Sequence, residues 1–244
     1  MQQCFTHDRA TIVFPKWVLR DAKTLFKDFA PNAVVNNKIV YSDIPEFKEY
    51  NNKDVLILGG GPSTLNLNLE QQEYDYLWSC NHFFYNPILR DTKIDLAMLM
   101  SEVDPMDGEL ISYRKKYKPH LGFEVHNKWF NHEFDSYEKY FFMHTNFYGR
   151  LGIGVRMILF AAALKAKRVM FCGLDGYTPI YKGNHAFQPG KKQLPSSFTE
   201  ELYIKQYRYF WKYCQGLYPD TEFVNLGAGH NLHVGIKEGY REKD

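Results

Sequence analysis

The sequence predicts an α/β, Rossmann-like fold: a mostly parallel sheet with helices on both faces, a long lid loop and an N-terminal extension. Three observations carry this. Short, almost wholly apolar runs alternate with amphipathic stretches from residue 54 onward, as in strands buried on both faces of a parallel sheet. The first run, "DVLIL", breaks into the turn "GGGPST" at 59–64, and a second glycine-marked helix start, "RLGIG" at 150–154, precedes another apolar run.

Taken in order, residues 1–53 form the N-terminal extension, with a helix expected in "VLRDAKTLFKDF", and residues 54–244 form the main domain. Strands are expected at 55–58, 76–79, 96–100, 140–142, 168–172 and 222–224. In "RLGIGVRMILFAAALKAK", Ile153, Met157, Phe160 and Leu164 share a helical face, and lysines gather at the C-terminal end, where the dipole favours cations. A further helix follows 197: Ser197 and Glu200 have capping-box spacing, and Tyr203, Tyr207, Phe210 and Cys214 recur at helical intervals as core residues do. Between these helices, 173–195 carries glycines, prolines and no periodicity, the mark of a lid or binding loop.

Composition bounds the rest. The 244 residues are 45% hydrophobic, enough for one sizeable core. A net charge of +2 is too balanced for a polyanion partner, so no nucleic acid is expected, and the basic run "RKKYK" at 114–118 reads as a solvated helix face. Cys4, Cys80, Cys172 and Cys214 show no paired spacing, which suits a reducing compartment. The N-terminus lacks a signal-like apolar stretch and "MILFAAAL" is too short to span a bilayer. A cytoplasmic protein without a transmembrane segment is expected, with a homo-oligomer left open.

A turn joining a strand to a helix offers unpaired amides to an anion, so Gly59, Gly60, Gly61, Pro62 and Ser63 form a candidate phosphate loop. Pro62 suits the first helical turn, where its missing N–H would go unpaired anyway. No Gly-Lys-Ser/Thr follows, so this is not a Walker A loop. Nor does an acid end the second strand to take a ribose 2′-hydroxyl; Asn81 stands there, with an amide that suits a base or sugar edge. A tight turn holding no ligand is the plain alternative. Arg150, beside the second glycine-marked start, has the fork for a phosphate or carboxylate, or for an ordinary surface ion pair.

The densest polar cluster follows "RVMFC": Asp175, Tyr177, Tyr181, Lys182 and His185. Tyrosines and a lysine steady a departing phosphate without metal, and a histidine near neutral pKa serves as acid or base. The remaining histidines show no zinc-ligand spacing.

The ordered set "ILGGGPS", "WSCNHFF", "GRLGIGVRMILFAAALKAKRVMFCGLDGY", "NHAF" and "FVNLGAGHNLHVGI" resembles bacterial sialyltransferases that use CMP-sialic acid. It is also similar to the related domain of motility-associated flagellin glycosyltransferases, whose relatives include the archaeal 6-hydroxymethylpterin diphosphokinase. The likeness covers about residues 54–236. It implies a glycosyltransferase without a cofactor, taking a nucleotide-sugar donor and a glycan or protein-hydroxyl acceptor. CMP contacts carry over to Gly59, Gly61, Pro62, Ser63 and Asn81, and further donor contacts to Ser101, Arg150, Gly152, Ile153 and Gly154. Leaving-group tyrosines carry over to Tyr177 and, where this chain has a histidine, to His185. Gly60 departs from the asparagine common in that turn, and "PSSFTEELYIKQ" lacks the family's general-base histidine, which leaves His185 as the substitute. Two alternatives stand beside this. One is a diphosphokinase-like transferase using Mg²⁺ and ATP, with Asp175, Asp104 and Asp107 as metal ligands; the other is a noncatalytic nucleotide-binding module.

Overall fold

The structure is a computed structural model that describes residues 2–7, 10–15, 45–100, 102–124, 135, 139–143, 151–175, 185–186 and 200–227. Among the described residues, nine strands form one sheet: β1 (Gln2–His7), β2 (Ala10–Pro15), β3 (Asp54–Leu58), β4 (Tyr76–Cys80), β5 (Leu96–Leu99), β6 (His120–Glu124), β7 (Lys139–Met143), β8 (Arg168–Cys172) and β9 (Glu222–Asn225). Their order is β1-β2-β7-β6-β5-β4-β3-β8-β9. Only β1 runs antiparallel, in a hairpin with β2; every other neighbouring pair is parallel.

The described helices are α1 (Pro45–Lys48), α2 (Gly108–Tyr117), α3 (Ile153–Ala163) and α4 (Glu200–Leu217). From β3 the chain lays strands outward on one side as far as β7, then returns through α3 to β8 on the other side of β3. Right-handed crossovers in opposite directions put α2 on one face and α3 with α4 on the other. Register places Ile57, Trp78, Phe141 and Phe171 on the α3/α4 face. There Phe160 of α3 stacks on Phe141 at 5.1 Å, Phe47 of α1 meets both rings edge-on, and Trp211 of α4 stacks on Phe171 at 5.5 Å. On the α2 side, Tyr113 meets Phe83 edge-on at 4.8 Å, and its hydroxyl accepts from the Ile94 amide.

The fold class is as expected, and three local expectations are corrected. Strand β6, "HLGFE", is missing from the sequence reading because His120 and Gly122 interrupt its apolar pattern; Gly122 is small because a Cβ there would lie 2.8 Å from Phe141 Cζ. Helix α3 is not amphipathic: its only residue that is not fully buried is Arg156, because the helix is walled in by the sheet and by neighbouring aromatics. In "RKKYK", Lys115 and Lys116 are exposed, but Arg114 is buried and donates to the Pro105 carbonyl. Strands β1 and β2 bring residues 2–7 and 10–15 into the main sheet, while the helix expected at 18–29 lies outside the described residues.

His120, on the face shared with Phe47 and Phe141, is held down to about 4 by burial first and by Lys139 second. The folded protein therefore keeps a neutral imidazole that the unfolded chain protonates below about 6.5. This stabilisation is complete above that value and is lost as the pH falls toward about 4. We expect His120→Leu to flatten the loss of stability between pH 6.5 and 4 in urea unfolding. Parallel acid profiles for the two proteins would contradict it.

Candidate functional site

The strand order turns around between β3 and β8, and open α/β sheets bind ligands in the crevice outside the carboxyl ends of such a pair. Here those ends carry the glycine turn and "GLD" at 173–175. The turn does not start an α-helix as expected. It gives a short 3₁₀ segment, Pro62–Asn66, followed by another, Leu69–Gln71. Short polar side chains divert the backbone: Thr64 Oγ1 donates to the Gly61 carbonyl, and Asn68 Oδ1 accepts from Glu70 N. A five-residue 3₁₀ segment has little macrodipole, so any anion must be held by individual donors.

Most of those donors are already engaged. Gly59 N donates to Cys172 O and Gly61 N to Gly173 O, each at 2.8 Å, while Thr64 N donates to Gly61 O. Ser63 N donates to Asp175 Oδ2 at 2.7 Å, and Ser63 Oγ donates to Asp175 Oδ1. The same hydroxyl accepts from Gly173 N at 3.0 Å and touches Cys172 Sγ at 3.3 Å, which fills the capacity of one hydroxyl. Ser63 is 4% and Asp175 1% exposed, so the pair is a buried clamp between two loops. Among the described residues, the Gly60 N–H is given no acceptor; it lies at the half-exposed tip of the turn.

The glycines make this clamp possible. A Cβ on Gly61 would sit 2.5 Å from Asp175 Oδ2, and one on Gly59 equally close to Gly173 O. Gly173 adopts φ +75°, which favours glycine independently of space. Gly227, after β9, closes the third side: its Cβ would fall 2.8 Å from Ser63 Oγ. The start of α3 joins the crevice through Gly154, which packs against Leu174. Gly152, at φ +78°, precedes the helix, and Ile153 begins it as a buried residue. From the lid, Ala186 N donates to Gly60 O at 2.9 Å, which sets the half-buried His185 one residue from a direct contact with the turn.

Asn81 follows β4 in the left-handed region, at φ 52°. Its amide is engaged with the neighbouring strand end: Oδ1 accepts from Met100 N and Nδ2 donates to Glu102 Oε1, both at 2.9 Å. Asp107 caps α2 through Glu109 N and Leu110 N and accepts from the Tyr85 hydroxyl at 2.5 Å, which pushes the tyrosine up to about 12. Asp104 accepts from Met106 N. Asp175, Asp104 and Asp107 thus serve separate local structures and do not converge. Among the described residues, no group of three or more His, Cys, Asp or Glu side chains is placed to hold a metal ion.

Of the residues expected at the site, the structure brings together Gly59, Gly60, Gly61, Pro62, Ser63, Gly154 and Asp175, with Asn81 one strand along. Ser101, Arg150, Tyr177, Tyr181 and Lys182 lie outside the described residues. Gly173, Gly227 and Glu102 were not among the candidates. The glycine in "NLGAG" and the acid next to Ser101 were visible, but no spacing rule connects them to residue 63.

Fold and strand order together define a Rossmann-like α/β protein with glycine-packed loops at the switch point of its sheet. No family model matches the chain, and no curated protein sequence matches it. Among solved structures, the chain is similar to the monofunctional α-2,3-sialyltransferase Cst-I of Campylobacter jejuni, at 17% identity and a TM-score of 0.49, covering 77% of this chain and 82% of that one. No helix among the described residues is long and apolar enough to cross a membrane.

Burial raises the Asp175 carboxyl, against the opposing pull of the two Ser63 hydrogen bonds. The folded chain therefore retains a proton that the unfolded chain releases above about 3.8, and stability falls as the pH rises through the folded value. Asp175→Asn cannot titrate, so its stability relative to the parent should grow from pH 4 to pH 7. Ser63→Ala, which strips one donor from a buried carboxylate, should cost about 2 kcal/mol in urea unfolding at pH 7. A cost near zero would mean that the clamp does not hold the loops.

Proposed function

We propose that the protein is a nucleotide-sugar transferase that binds a CMP-activated sialic or related nonulosonic acid and passes the sugar to an acceptor hydroxyl. The observation that carries this is the convergence of the 59–63 turn, the 173–175 loop and the start of α3 on the carboxyl side of the β3/β8 switch point. Those segments are also the ones through which the sequence resembles the CMP-sialic-acid transferases.

The chemistry follows from what is available there. The bond between the anomeric carbon and the phosphate oxygen breaks, CMP departs, and the acceptor oxygen bonds to that carbon after losing its proton. Gly60 N–H at the tip of the turn is the donor left for the phosphate, while Ser63 and Asp175 fix the shape of the loop beneath it. His185 takes the acceptor proton; Tyr177, Tyr181 and Lys182 steady the departing phosphate, and Arg150 and Ser101 hold the donor's anionic and polar groups. The bond from Ala186 to Gly60 supports a lid that reaches the phosphate position.

The Mg²⁺/ATP diphosphokinase reading is less well supported. Asp175 gives both oxygens to Ser63, and Asp107 gives both to the helix cap and Tyr85. The noncatalytic reading differs from the transferase only in turnover.

Calorimetric titration with CMP, UDP, GDP and ATP should show CMP binding without added metal. Binding of another nucleotide with no response to any cytidine nucleotide would overturn the proposal. With a CMP-activated donor, His185→Ala should lower kcat by about a hundredfold or more while leaving CMP affinity in place. Unchanged turnover would remove His185 from the reaction, and absent turnover in the parent protein would favour the binding module.

A further inference from the structure

The sequence offers no acid at the end of the second strand of the main domain, where dinucleotide-binding folds place the carboxylate that takes ribose hydroxyls. The structure supplies one from the next strand. Glu102 follows β5, and the Asn81 side chain draws its Oε1 to within 2.9 Å, over the end of β4. Asn81 can do this because its backbone sits at φ 52° and its N–H is tied to Met98 O, while its Oδ1 holds Met100 N. Both amide groups are therefore committed, and the residue acts as a bracket for the carboxylate.

That carboxylate lies just past the carboxyl end of β5, at the same end of the parallel strands as the glycine turn. It is exposed, and its charge bears on Cys80, the last residue of β4, whose thiol is pushed up to about 12 by burial first and by Glu102 second. Among the described residues, Oε2 of Glu102 carries no hydrogen bond, and Oε1 keeps a second lone pair beside the Asn81 amide. Neighbouring strands lie about 5 Å apart, so the end of β4 is one strand spacing from the glycine turn that ends β3. A nucleotide with its phosphate at Gly60 brings its ribose toward β4 if its base points along the strand ends, away from β8.

The geometry points to the Asn81–Glu102 pair as the ribose-binding element of the crevice, with Glu102 accepting from the vicinal 2′- and 3′-hydroxyls and Asn81 positioning it; this rests on the nucleotide reading proposed above. Asn81 then contributes to ligand binding through Glu102, not by touching a base edge itself. It also makes the protein selective for ribonucleotides over their 2′-deoxy counterparts, since the deoxy ligand offers the carboxylate only its 3′-hydroxyl.

The test is calorimetric titration of the full chain with CMP and with 2′-deoxy-CMP. The parent protein should bind CMP at least about tenfold more tightly, as expected for a hydroxyl paired with a charged acceptor. In Glu102→Ala the ratio should fall toward one, because CMP loses two hydroxyl contacts where 2′-deoxy-CMP loses only that of its 3′-hydroxyl. Asn81→Gly tolerates the left-handed backbone but releases the carboxylate, and should lower the ratio in the same way. CMP binding with equal affinity for the deoxy form, or an unchanged ratio in Glu102→Ala, would overturn the ribose assignment and leave the nucleotide reading intact. No binding of CMP would overturn both.

Discussion

One buried hydrogen-bonded pair holds the working end of this protein together. Asp175 receives both the amide and the hydroxyl of Ser63, more than a hundred residues away in sequence, and through them the loop after β8 is fastened to the loop after β3. A carboxylate with almost no solvent contact costs several kcal/mol to bury unless its lone pairs are filled. Here Ser63 gives each oxygen one donor, and Gly59, Gly61 and Gly227 allow the backbones to close around the pair. Without those glycines the two loops could not approach, and the crevice would lose its floor.

The clamp changes the meaning of the glycine turn. In a phosphate loop of the usual kind, successive amides point at the ligand and the side chains stay clear. Here most of the amides point inward, to carbonyls and to Asp175, and the loop is shaped in advance by its own chain. Such a site does not reorganise around an anion. Among the described residues of the turn, the Gly60 N–H is left without an acceptor at its tip.

Much of the fold was legible in the sequence because it depends on local pattern. The apolar runs of β3, β4, β5, β8 and β9 fall within one or two residues of their expected limits, as doubly buried strands bounded by polar turns should. Strand β6 escaped because His120 is a buried neutral imidazole and Gly122 makes room for Phe141, so two residues that read as breakers are core residues. The site was legible in a different sense. The glycines could be recognised as a close approach, but what approaches is a loop from the far half of the domain. Ser63 and Asp175 were both candidates, but for contact with a ligand; their contact with each other exists only once β3 and β8 are adjacent. Glu102 was hidden for the same reason, since its place is set by an asparagine on another strand.

The main-chain bond from Ala186 to the Gly60 carbonyl has a consequence for how such a lid can diversify. Because it joins two backbones, the attachment requires no particular side chain at either end. The bond itself therefore sets no demand on the size or charge of the side chains beside it. Such a fastening separates what joins two segments from what their side chains present.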